Sequence, residues 1–285
     1  MKRKGQLLLV VAVIGILLFI TSKVSSNGGQ PTKESAIWVE QQGEVIKEQQ
    51  GQQPLPIASL SKVMVGYLLF EALEETDLNF QSEVTIPIDF MKRYSHLSGL
   101  ATVHLEVGQS YTIRQLTEAM LIPSANDATV AIAYALANDE EQFVAKMNAK
   151  AKALGLSQTQ FVNATGLTVD GQYNVSSARD LATLTSLFIE KYPEVLTMTS
   201  MPKTTAIHDM TYWSTNHLLK GMPHQLEGVD GFKTGFTEDA GHCLITTGER
   251  NGKRFVTVVL NASEGDPKNK NSKFVLTESL LQGLR

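Results

Sequence analysis

Ser59 and Lys62 stand three residues apart at the head of an apolar stretch that includes Val63, Met64, Tyr67, Leu68 and Leu69. The spacing predicts that they lie one turn apart on one face of a helix, so that a hydroxyl and an amine can meet. A serine hydroxyl reacts at neutral pH only when a neighbouring base takes its proton. A lysine sunk into an apolar, partly desolvated site can have its pKa lowered enough to be that base. The helix N-terminus favours negative charge developing there. Taken alone, the pair equally describes a helix cap followed by a snorkelling lysine. A second Ser-x-x-Lys runs from Ser200 to Lys203, where Pro202 disfavours a helix.

Two further clusters bear the same kind of side chain. Ser124-Ala125-Asn126 follows Pro123 and precedes an alanine-rich helical run; it sets a second hydroxyl and an amide on a tight turn, a pair able to relay a proton and hold a lysine. Ser-x-Asn recurs at Ser25-Ser26-Asn27 and Ser214-Thr215-Asn216, and an isolated copy reads as well as a helix cap. Lys233-Thr234-Gly235 occurs once, in an alternating stretch from Gly228 to Thr237. There the pattern predicts an edge strand with Lys233 and Gly235 on one side. Glycine lets another backbone come close. The lysine and the threonine hydroxyl suit a carboxylate, and an edge strand offers N–H and C=O groups to an extended peptide.

Elements to position these clusters are legible along the chain. Residues 36–40 and 44–49 read as two strands around Gln42-Gly43, and 243–247 with 254–260 as a hairpin turning at Asn251-Gly252. Helical periodicity covers 61–73, 113–121, 126–137, 140–154, 178–188 and 270–282. The stretch 163–173, with Gly166, Asp170 and Gly171, is an irregular loop between two of these helices. Strands near both ends and helices between predict an α+β domain: an antiparallel sheet built from the chain termini and flanked by helices, plus an all-helical lobe, with the active site between them.

Lys2, Arg3 and Lys4 precede an apolar or small run over 7–20, the pattern of an export signal or a membrane anchor at residues 1–22. No A-x-A-like cleavage site follows, which favours an anchor, with the basic flank cytoplasmic and the remainder outside the cell membrane; a cleaved signal would release the protein. Ser, Asn, Gly, Gln and Pro over 23–34 read as a flexible linker, leaving 35–285 as the catalytic domain. The formal net charge is −4, more negative still without the N-terminal cations, and no basic stripe with aromatics appears, which argues against nucleic acid. The lone Cys243 excludes an internal disulfide. The six histidines form no H-x-x-x-H or H-x-H pair, so no metal or other cofactor is expected.

The order Ser-x-x-Lys, Ser-x-Asn, Lys-Thr-Gly is the motif set of class A β-lactamases and penicillin-binding proteins. Around it, Pro56 to Lys62, Leu121 to Ala128, Val229 to Gly235, and the region from Met147-Asn148 to Phe161-Val162-Asn163-Ala164-Thr165-Gly166-Leu167 resemble low-molecular-mass penicillin-binding proteins that act as serine-type D-alanyl-D-alanine carboxypeptidases. The resemblance spans about residues 35–281. It implies a β-lactamase/transpeptidase-like fold, a peptidoglycan stem peptide ending in D-Ala-D-Ala as substrate and β-lactams as covalent inhibitors. It further implies Ser59 as nucleophile, Lys62 as base, Ser124 as proton relay, and Asn126 holding Lys62 and the substrate amide. Lys233 and Thr234, with Gly235, would receive the terminal carboxylate, and the N–H groups of Ser59 and Phe236 the oxyanion.

Three departures from the family pattern stand out. Ala125 replaces a frequent glycine, Phe236 a frequent His or Tyr, and Lys273 a frequent arginine, leaving a point charge near the carboxylate site. The chain is also expected to lack the C-terminal β-rich domain and anchor of many relatives. A class A β-lactamase places a glutamate between the second and third motifs to activate water; from Gln142 to Ile189 there is none, only Asp170 and Asp180. A tethered penicillin receptor without turnover is the other alternative.

Overall fold

A computed structural model describes residues 35–262 and 269–284; the expected signal or anchor and the linker lie outside the described residues. Five strands, β1 (Ala36–Gln41), β2 (Glu44–Gln49), β3 (Val229–Thr237), β4 (Gly241–Arg250) and β5 (Lys253–Ala262), form one antiparallel sheet in the order β2-β1-β5-β4-β3. The two ends of the domain thus meet at its centre, Trp38 lying opposite Val258. Period-two alternation assigns the faces. Ala36 and Trp38 of β1 point into the larger core, whereas Ile37 and Val39 join Phe255, Val259, Leu280 and Leu281 in a smaller one. That second face is covered by the C-terminal helix, Ser272–Leu281.

On the other face packs α5 (Ala178–Lys191), against which stands a helical lobe of α1 (Lys62–Glu75), α2 (Ile113–Leu121), α3 (Asn126–Leu136) and α4 (Glu140–Ala153); the C-terminal helix is α6. Their starts are set by local chemistry. Thr112 and Gln115 form a reciprocal capping box on α2, and the Asp139 and Ser177 side chains accept from Gln142 and Asp180 at the starts of α4 and α5. Helices α1 and α3 begin with unbroken buried runs, Lys62 to Phe70 and Asn126 to Ala133, the pattern of helices enclosed on all sides. Lys62 is the first residue of α1.

The sequence places Ser59 in the first turn of that helix. In the structure Ala58–Ser61 is instead a 3-10 turn, with α1 proper beginning at Lys62. The tighter winding eclipses side chains three apart, which brings 59 and 62 into line. The strand containing Lys233 is at the sheet edge, as expected, and Lys203 of the second Ser-x-x-Lys is in a two-residue strand, not a helix.

Helices and sheet are joined around Phe188 of α5. Its ring meets Tyr67 and Phe70 of α1 at 5.7 and 5.2 Å, Tyr192 at 6.1 Å and Phe232 of β3 at 5.8 Å, all edge-on, the arrangement aromatic quadrupoles favour. One side chain therefore ties the helix that carries Lys62 to the strand that carries Lys233. Replacing it by Phe188→Ala is expected to cost about 3–5 kcal/mol, read as a lower midpoint in urea unfolding with an unchanged slope.

Candidate active site

Lys62 is fully buried, and its amine is surrounded by oxygen. Nζ lies 2.7 Å from the Ser124 carbonyl, 2.8 Å from Asn126 Oδ1, 3.1 Å from Ser59 Oγ and 3.2 Å from Ser124 Oγ. Asn126 Nδ2 donates to the Ala101 carbonyl at 3.1 Å, which fixes Oδ1 as the atom facing the lysine. The two nearest groups can only accept. A neutral amine has two N–H bonds and one lone pair, so those two acceptors take both N–H bonds and the lone pair is left facing the hydroxyls of Ser59 and Ser124.

Burial favours that neutral state. Loss of hydration holds the Lys62 pKa well below its ordinary value, the cation of Lys233 lowers it further, and Asp127 opposes with a smaller pull upward. Asp127 itself is occupied in shaping the wall, accepting from the main-chain amides of Val103, Leu105 and Ala128.

Lys233 is 1% exposed and donates to Ser124 Oγ at 2.8 Å and to the Thr234 carbonyl at 3.1 Å. Burial brings its pKa down to about 7. The Ser124 hydroxyl thus bridges two lysines. Its residue sits at φ 67°, a left-handed conformation uncommon for a side chain with a Cβ. It is held there by Lys62 on its carbonyl and by the next two amides, Ala125 to Ala119 at 2.9 Å and Asn126 to Ala101 at 2.8 Å. Ser124 does not cap α3: that helix has Ala125 at its N-cap and no side-chain cap.

Edge strand β3 closes the site from the sheet side. A Cβ on Gly235 would lie 3.0 Å from the Ile57 carbonyl, 3.2 Å from the Ala58 Cβ and 3.3 Å from the Ser59 amide, so glycine is what lets the strand approach the nucleophile's turn. Thr234 donates to the Thr215 hydroxyl at 2.6 Å. Phe236 is 54% exposed, with its ring stacked 4.5 Å from that of His242, its opposite number on β4. Ser59, Lys62, Ser124, Asn126, Lys233, Thr234 and Gly235 are brought together. Lys273 is placed otherwise. Its ammonium donates to the Lys270 carbonyl and lies over the Phe274 ring, its pKa lowered to about 8 by burial, and no hydrogen bond among the described residues joins it to the others.

Sequence reasoning missed four supporting residues. Thr215 belongs to a Ser-x-Asn repeat that reads as a weak pattern, yet its amide reaches Ile122 beside the Ser124 turn and its hydroxyl reaches Thr234. Ser61, Gly166 and Asn174 converge on the backbone before Ser59. Gly166 stood in the sequence as part of an irregular loop and of a stretch resembling the family, with no role assigned to it. Its contact partner, Ala58, is more than a hundred residues away in sequence, and no local signal points to that contact.

This geometry has close counterparts. A family profile described as D-alanyl-D-alanine carboxypeptidase matches residues 22–264. The chain is 34% identical to D-alanyl-D-alanine carboxypeptidase DacF of Bacillus subtilis, over 93% of this chain and 68% of that one, and 30% identical to DacC of Escherichia coli, over 87% and 61%. It therefore spans between three-fifths and about two-thirds of the length of these relatives. Among solved structures it resembles PBP3 of Streptococcus pneumoniae, a peptidoglycan synthesis regulatory factor (TM-score 0.80, 34% identity, covering 87% of this chain and 70% of that one). It also resembles the cefotaxime-bound penicillin-binding protein D2 of Listeria monocytogenes (TM-score 0.76, 36% identity, covering 88% and 96%). With its three motifs assembled on this fold, the chain belongs to the D-alanyl-D-alanine carboxypeptidase family of serine peptidases, the low-molecular-mass penicillin-binding proteins.

Proposed function

We propose that the protein is a serine D-alanyl-D-alanine carboxypeptidase that removes the terminal D-alanine from peptidoglycan stem peptides and is acylated by β-lactams. The observation that carries this reading is the Lys62 amine, whose N–H bonds are engaged by two carbonyl oxygens and whose lone pair faces the Ser59 hydroxyl at 3.1 Å. Ser59 Oγ attacks the carbonyl carbon between the two D-alanines while its proton passes to Lys62. The oxyanion is received by the N–H groups of Ser59 and Phe236, donors whose worth lies in being fixed beforehand. Ser124, bonded to both lysines, passes its proton to the amide nitrogen and takes one in return from Lys62, which is neutral again. The C–N bond breaks and D-alanine leaves. Water then attacks the ester, giving a proton to Lys62, and as the C–O bond to Ser59 breaks Lys62 returns that proton to Ser59 Oγ, which frees the shortened peptide and restores the enzyme.

Lys233 and Thr234 offer the leaving residue's carboxylate a cation and a hydroxyl on the edge strand. Lys273, engaged with Lys270 and Phe274, supplies only a more distant positive charge. We further propose that the segment 7–20 tethers the enzyme to the outer face of the cell membrane. The support is its apolar composition behind Lys2, Arg3 and Lys4.

The β-lactamase reading finds no carboxylate where it needs one. Asp180 accepts from the Gln158 amide and the Thr159 hydroxyl, and Asp170 is exposed on a turn between Val169 and Gln172. Purified protein is expected to release D-alanine from a peptide ending in D-Ala-D-Ala and to be labelled by fluorescent penicillin. Ser59→Ala should lower the first by at least about 10³-fold and abolish the second. Labelling without D-alanine release would point to a receptor, and rapid lactam turnover to a β-lactamase.

The electrostatics set a pH dependence. Acylation requires neutral Lys62, so its rate falls on the acid side as Lys62 takes a proton. The charge on Lys233 opposes that protonation. In Lys233→Met the opposing charge is gone, Lys62 binds its proton more readily, and the acid limb of the limiting acylation rate should move to higher pH. A limb that stays in place or moves to lower pH would mean that Lys62 is not the group titrating.

A further inference from the structure

The amide of Ser59 belongs to the same peptide unit as the carbonyl of Ala58. That unit is planar and trans, its C=O and N–H pointing in opposite directions. Whatever holds the Ala58 oxygen therefore aims the Ser59 N–H. The Ala58 oxygen accepts from the Ser61 hydroxyl at 2.8 Å. A serine hydroxyl can rotate, but here its oxygen in turn accepts from Asn174 Nδ2 at 2.7 Å, which leaves the Ser61 proton for Ala58.

Asn174 is fully buried and cannot turn. Its Oδ1 accepts from the amides of Val162 and Asn163 at 2.7 and 3.1 Å, its Nδ2 also donates to the Asn163 carbonyl at 2.9 Å, and its main-chain oxygen accepts from the Ile57 amide at 3.2 Å. Amide donors on one atom and a carbonyl on the other leave one orientation of the side chain. The same loop presses on the turn from behind: Gly166, at φ +84°, is so close that a Cβ there would lie 1.9 Å from the Ala58 oxygen. Gly235 closes on the turn from the strand side. The restraint has something to oppose, because Ala58 stands at φ 46°, a strained conformation that persists only when its surroundings enforce it.

We infer that Asn174 is a positioning residue for the acylation step, acting through Ser61 to fix the Ala58–Ser59 peptide plane and so to aim the Ser59 N–H at the oxyanion. The middle serine of Ser59-Leu60-Ser61-Lys62 is then part of the machinery. A hydrogen bond on the carbonyl end of a peptide also polarises its N–H, strengthening the donor at the other end. The inference rests on the acyl-transfer function proposed above.

The test uses the full-length protein with Ser61→Ala, Asn174→Ala and Ser61→Thr, and with Val258→Ala as a variant that loosens the sheet core on β5 without removing any hydrogen bond to the turn. Acylation by benzylpenicillin is resolved into a binding constant and a limiting rate, and the acyl-ester carbonyl band is read by isotope-edited infrared spectroscopy. Removing one oxyanion donor outright costs about 10²–10³-fold; a donor retained but mis-aimed should cost about 10–100-fold. In Ser61→Ala and Asn174→Ala the loss should fall on the limiting rate with binding unchanged, and the ester band should move to higher wavenumber as its hydrogen bonding weakens. Ser61→Thr, which keeps the hydroxyl, should stay near wild type. If Ser61→Ala and Asn174→Ala match Val258→Ala, with lower thermal stability but wild-type limiting rate and band, Asn174 only stabilises its loop and the inference is overturned. Wild-type protein that takes no penicillin would instead overturn the functional reading beneath it.

Discussion

Two lysine side chains, both buried, share one serine hydroxyl. Nζ of Lys62 and of Lys233 lie 3.2 and 2.8 Å from Ser124 Oγ, and neither makes an ion pair among the described residues. Water is the best solvent for an ammonium, and removing it penalises the charged form. The site therefore stabilises a state that free lysine avoids at neutral pH, in which at least one of the two amines is without its proton. Much of the surrounding architecture serves to keep water from that arrangement: a first helix buried from Lys62 to Phe70, a sheet edge brought close by Gly235, and a turn at Ser124 that aims a carbonyl and a hydroxyl inward.

Such an arrangement has to be held against its own strain. Ala58 before the nucleophile and Ser124 in the second cluster both occupy left-handed backbone conformations. Each is braced from distant parts of the chain, Ala58 by Ser61, Gly166 and Gly235, and Ser124 by Lys62, with Thr215 bonding the neighbouring Ile122. Bracing of this kind gives the site its donors in place before a substrate arrives, which is where the electrostatic part of catalysis comes from. It also explains why the loop 162–174 is so heavily bonded for a segment with little regular structure. Thr168 of that loop reaches Asp239 in the β3–β4 turn at 2.6 Å, so both flanks of the nucleophile are connected through it.

Carboxylates near the loop are consumed by structure. Glu140 accepts from the Tyr94 hydroxyl and the Ala164 amide, with Arg93 beside it, and Asp180 anchors Gln158 and Thr159. In the function proposed above, the same amine serves both half-reactions, which links both steps to the protonation of Lys62.

The sequence alone determined the chemistry available and most of the elements. The three clusters, their order, the absence of a loop glutamate and the hydrophobic periodicities are local properties, and local properties survive in a string. The sheet composed of both chain ends, the separate helical lobe and the edge position of the third cluster were legible because burial and turn chemistry repeat at short range; the convergence of Ser59, Lys62, Ser124, Asn126 and Lys233 was implied only by the family resemblance that their ordered motifs carry. Only the tertiary structure decided that Lys273 turns to Lys270 and Phe274, that Ser59 lies in a 3-10 turn, that Thr215 bonds Thr234, and that Asn174 and Gly166 grip the peptide before the nucleophile. These depend on which atoms of distant segments come within 3 Å, and on a backbone forced into left-handed conformations by contacts that no neighbouring residue encodes.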